Sequence, residues 1–103
     1  MDMTYTDYTT TRTVDAEGRL LSETQLTNGA KDGFERQYSN GQLRMSGCYD
    51  MGQRNGMFKT WHENGQIIYD AIYVKGREVS FTEYDKCGNI TITNLQRDSF
   101  TQI

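Results

Sequence analysis

"YSNGQLRMSGCYDMGQRNG" (38–56) is followed five residues later by "HENGQIIYDAIYVKGREVS" (62–80), and the two stretches carry the same pattern. With Gly18, Gly41, Gly65 and Gly88 as origins, the spacings are 23, 24 and 23 residues. Two positions on stand Leu20, Leu43, Ile67 and Ile90; at four stand Ser22, Met45, Tyr69 and Ile92. At six the side chains are small or polar (Thr24, Gly47, Ala71, Asn94), and at eight come Leu26, Tyr49, Tyr73 and Gln96. A mostly apolar file at every second residue is the signature of a half-buried strand.

Turn signals recur every 11–13 residues, at Gly18, Gly29, Asn40-Gly41, Gly52, Asn64-Gly65, Gly76 and Cys87-Gly88. Asn-Gly between apolar runs favours a tight hairpin, because a type I′ turn needs positive φ at both central residues. Proline is absent, so no strand loses a ladder donor. The expected fold is all-β: an antiparallel up-and-down meander of stacked hairpins in one twisted sheet. Eight strands are expected, near 4–13, 19–27, 33–38, 42–50, 56–62, 66–74, 78–85 and 89–96.

Residues 1–103 read as one repeat domain, with an N-terminal edge strand (1–13), hairpin repeats (14–95) and a C-terminal tail (96–103). Leu20, Leu43, Ile67 and Ile90 are the expected core column. Phe34 and Tyr38 share a face in a regular strand, whereas Phe58 and Trp61 do not, so a bulge is expected to reconcile the units.

Valine, isoleucine, leucine and phenylalanine number only 18 of 103, yet the net charge is −3 and aromatics make up 12%. That combination fits a thin, wet sheet better than disorder. The acidic balance argues against binding to nucleic-acid backbones or anionic membranes. Residues 36–62 are locally basic, with Arg36, Arg44, Arg54 and Lys59 against Asp50. No secretory signal or long apolar run is visible, and Cys48 and Cys87 read as free thiols, so the expected location is cytoplasmic.

The glycine–aromatic–Asn-Gly spacing in "NGMFKTWHENGQI" (55–67) and "YSNGQL" (38–43) resembles the MORN-repeat variant family of bacteria and large DNA viruses. The likeness runs from about residue 14 to 92. Some bacterial members are described as antitoxins of toxin–antitoxin systems. The resemblance implies stacked β-hairpins and an interaction role, with no chemistry to carry over.

The residues themselves offer little catalysis. His62 is the single histidine and can be paired with Cys48 or Cys87 only on paper, while Glu83 and Asp85 read as a solvated strand face. No metal-ligand spacing or phosphate loop is present, so no catalytic residue, metal or cofactor is expected. Tyrosine, tryptophan and arginine are enriched at interface hot spots. The expected partner surface is therefore Tyr49, Trp61, Tyr69 and Tyr73, flanked by Arg44 and Lys59. The functional expectation is a non-enzymatic inhibitor that binds a protein partner such as a toxin or defence nuclease, of the antitoxin or phage anti-CRISPR kind. It acts as a homodimer or a stoichiometric complex, without nucleic acid or membrane. The alternative is a passive structural repeat module in a larger assembly.

Overall fold

The computed structural model describes residues 3–7 and 10–95. They form one antiparallel sheet of nine strands whose spatial order is the chain order. The strands are β1 (Met3–Asp7), β2 (Thr10–Val14), β3 (Leu20–Thr27), β4 (Ala30–Ser39), β5 (Gln42–Asp50), β6 (Gln53–Trp61), β7 (Ile67–Val74), β8 (Arg77–Tyr84) and β9 (Ile90–Leu95). The expected meander is present, with one strand more than the eight read from the sequence. Its expected first strand, 4–13, is the hairpin β1–β2, paired from Met3↔Val14 to Asp7↔Thr10. The tail expected at 96–103 lies outside the described residues.

Two kinds of turn alternate along the sheet. At one end, Asn28-Gly29, Met51-Gly52 and Lys75-Gly76 all have positive φ at both residues, the mark of type I′ hairpins. Met51 and Lys75 hold this left-handed conformation without being glycine. Their backbone N–H groups donate to Asp32 Oδ1 (3.2 Å) and Asn55 Oδ1 (2.9 Å), side chains one repeat apart on the preceding hairpin. At the opposite end, among the described residues, only Asn40-Gly41 is such a turn. Asn64 has no positive φ; the chain between the paired Trp61 and Ile67 is wider, and His62 O accepts the Gly65 N–H at 3.0 Å. The turns at 15–19 and 85–89 are built alike, with Asp15 and Asp85 carboxylates accepting two backbone N–H groups each. The 24-residue spacing between Gly41 and Gly65 thus records a change of turn.

The register shifts once per repeat beside the aromatic column, at Gln37/Tyr38, Thr60/Trp61 and Glu83/Tyr84. Each shift adds one residue on the following strand, so Leu43, Ile67 and Ile90 pair with Tyr38, Trp61 and Tyr84. They leave the face that offsets four to eight share. The expected core column is consequently half-buried at Leu20, Leu43 and Ile67, and 61% exposed at Ile90.

The most buried file lies elsewhere. Thr11, Thr24, Glu35, Gly47, Phe58, Ala71 and Phe81 are successive cross-strand partners from β2 to β8. Glu35, Gly47, Phe58 and Ala71 are all buried. Small residues on β5 and β7 make room for rings on β6 and β8, the alternation that fills a sheet surface without voids. Glu35 occupies on β4 the place that Phe58 holds on β6. Phe34, the neighbour of Glu35 along β4, lies on the other face beside Cys48. The face carrying the buried file is called the front and the other the back.

Candidate functional surfaces

On the front, Phe58 sits between two tyrosines. Its ring centroid is 5.4 Å from Tyr49 and 5.1 Å from Tyr73, both edge to face, the arrangement that ring quadrupoles favour. The Arg54 guanidinium lies 4.5 Å over the Phe58 ring and 5.2 Å over Tyr73, and it donates to the Tyr73 hydroxyl at 3.1 Å. Lys31 lies 5.0 Å over the Tyr49 ring and pairs with Glu35 at 3.0 Å. Tyr69 stacks on Phe81 at 5.8 Å and donates to Glu78, which the Tyr73 hydroxyl also approaches at 3.4 Å. Burial, with the neighbouring Glu78 carboxylate, pushes the Tyr69 phenol well above its ordinary range. An aromatic ladder with cations at its rim results.

The back carries its own ion-pair cluster. Glu23 accepts from Arg12 at 3.0 Å, from the Tyr38 hydroxyl at 3.2 Å and from Arg36 at 3.5 Å, and Arg36 stacks 4.0 Å over Phe34. Met57 and its cross-strand partner Ile72 are exposed there, 49% and 39%.

The sheet therefore divides the expected partner surface. Tyr49, Tyr69 and Tyr73 gather on the front. Lys59, paired with Asp70 and Ser46 on neighbouring strands, belongs to the back. Trp61 follows Thr60 on a regular strand and so turns away from the tyrosines; with Gln42, Leu43, His62 and Gly65 it lines a shallow recess at the turn end. Arg44 lies in a neighbouring cleft of about 360 Å³, with His62, Glu63, Asn64, Ile68 and Lys86. Phe58, Arg54 and Lys31, absent from the expected set, complete the front. The signal for Phe58 was the small column at Gly47 and Ala71, which needs large side chains from the strands between.

His62 Nε2 lies 3.5 Å from the Tyr84 carbonyl, and Cys48 and Cys87 are unbridged. Asp85 stands beyond β8 and closes a turn, so it does not form the expected strand face with Glu83. Among the described residues no group of three or more histidine, cysteine or acidic side chains is placed to hold a metal. No helix among them is long and apolar enough to cross a membrane.

Fold and surfaces together define a single-layer β-hairpin repeat sheet. No family model matches the chain, and no curated protein matches it. Among solved structures it is similar to TarM, with a TM-score of 0.56 at 12% identity. It is also similar to a mutant of S. aureus TarM in complex with fondaparinux, alpha-GlcNAc-glycerol and UDP, with a TM-score of 0.57 at 11% identity. Each match covers 91% of this chain and 19% of the other, so the chain spans about a fifth of the length of those structures. At such identity the likeness concerns the fold alone.

Proposed function

We propose that this chain is a non-enzymatic protein-binding inhibitor that neutralises a partner by stoichiometric docking, as antitoxins and anti-CRISPR proteins do. One observation carries the reading: the front presents Tyr49 and Tyr73 on either side of the buried Phe58, with Tyr69 stacked on Phe81 beyond them and Arg54 and Lys31 at the rim, and no second layer of described residues is packed over it. Rigid aromatics held by a sheet lose little conformational freedom on docking, which favours affinity. The outer edges of β1 and β9 offer a further means of association, by strand pairing with a partner or a second copy. Membership of the MORN-repeat variant family belongs to the same proposal and draws support from the per-repeat register shift at Tyr38, Trp61 and Tyr84. A cytoplasmic site of action accords with the unbridged cysteines.

The second reading is a structural repeat module. It is favoured by the occurrence of this fold as about a fifth of a longer chain in the TarM structures. Affinity capture from the native host, followed by titration of the captured partner's activity, separates the two. Inhibition that ends at a fixed molar ratio supports the inhibitor; a partner bound with its activity intact supports the module.

A further inference from the structure

The Arg44 guanidinium is poorly partnered for its burial. The side chain is only 23% exposed, and its Nε is fully buried without a hydrogen-bond acceptor. Nη1 reaches the Trp61 carbonyl at 3.5 Å, the limit of a hydrogen bond, and Nη2 lies 3.6 Å from Glu63, whose side chain is 88% exposed. A buried charge is costly unless strong acceptors replace its water. Among the described residues, no acceptor stands closer than 3.5 Å to this fork of five donors.

Other donors share the cleft. Asn64 Nδ2 donates to the Lys86 carbonyl at 3.0 Å, which ties the two turns together and keeps Lys86 beside the cleft, while His62 lines the same space. Ile68 supplies an apolar wall that strengthens the field of the cations beside it. The chain as a whole is acidic, so this positive recess is a local feature.

We propose that the cleft lined by Arg44, His62, Asn64 and Lys86 is a binding site for a phosphate-class oxyanion. A planar carboxylate satisfies the guanidinium fork alone, whereas the several oxygens of a phosphate group can meet donors from one strand and two turns at once. Glu63 is the internal competitor: its carboxylate stands near Arg44 and swings into solvent when the anion enters. The site is independent of the protein-binding reading and is tested without any partner.

The test is a titration of the isotope-labelled protein with inorganic phosphate at constant ionic strength, followed by amide shifts at Gly65, Ile68 and Lys86 and by the Trp61 indole. Saturable shifts confined to this end of the sheet are expected. Arg44→Met weakens binding by roughly tenfold or more, as loss of a charge-assisted fork requires. Glu63→Gln tightens it by about two- to fivefold, the worth of an exposed ion pair. Lys86→Gln, on an exposed turn, weakens it with the fold intact. Arg36→Met, on the back, leaves it unchanged. The proposal is overturned by a linear, non-saturating response, by equal binding in the Lys86→Gln and native proteins, by weaker binding in Glu63→Gln, or by acetate binding as tightly as phosphate.

Discussion

Gly47 and Phe58 are cross-strand partners, and the glycine is small because the ring lies over it: a Cβ at position 47 would collide with Cε2, Cζ and Cδ2 of Phe58. Gly47 is not among the residues with positive φ, so its demand is steric and not conformational. Gly47→Ala is expected to destabilise by about 1–3 kcal/mol, the usual cost of overpacking. Urea denaturation measures this, and Phe58→Leu in the same chain should return part of the loss. An additive double mutant would mean that the two side chains do not share the space.

Glu35 sits in the same file, 7% exposed and paired with Lys31 at 3.0 Å. Replacing a buried ion pair by apolar groups is often neutral or stabilising, because desolvation offsets the Coulomb gain. Glu35→Leu combined with Lys31→Met, which removes both charges, is therefore expected to leave the urea midpoint unchanged or raise it. A loss above about 2 kcal/mol would assign the pair a net stabilising role.

Glu23 sets a pH dependence. Burial pushes its carboxyl upward, but hydrogen bonds from Arg12 and Tyr38, the Arg12 charge and the Arg36 contact outweigh that and hold it below the ordinary 4.5. A carboxyl lowered in the folded state stabilises the fold above its unfolded value, and that contribution is lost as pH falls through the folded value. Glu23→Gln should thus be less stable than the native protein near neutrality, and the gap should close between about pH 5 and about pH 3. Urea midpoints across that range check it; a constant gap would remove Glu23 as the source.

The repeat made the meander legible because turn glycines and a two-residue period are local signals. The buried file was harder to read. Its occupants alternate between strands of different sequence, Gly47 and Ala71 against Phe58 and Phe81, so no single repeat column spells it out. Ile90 was misplaced because a register shift beside Tyr84 is invisible in the spacing of one strand. Strand alternation alone separates Trp61 from the tyrosines, because it directly follows Thr60, the partner of Tyr69. Arg54 and Lys31 were missed because their part depends on lying over rings from other strands.

The front ladder as a docking surface is tested most directly by comparing two substitutions against the captured partner. Arg54→Glu reverses a rim charge on the front, while Met57→Asp places a charge on the exposed back. Both positions are exposed, so the fold should tolerate both, with circular dichroism confirming the β spectrum. The account predicts that Arg54→Glu loses partner affinity by roughly tenfold or more, a change of about 1.4 kcal/mol, and that Met57→Asp retains it. Full affinity in Arg54→Glu together with its loss in Met57→Asp would place the contact on the back and contradict the account.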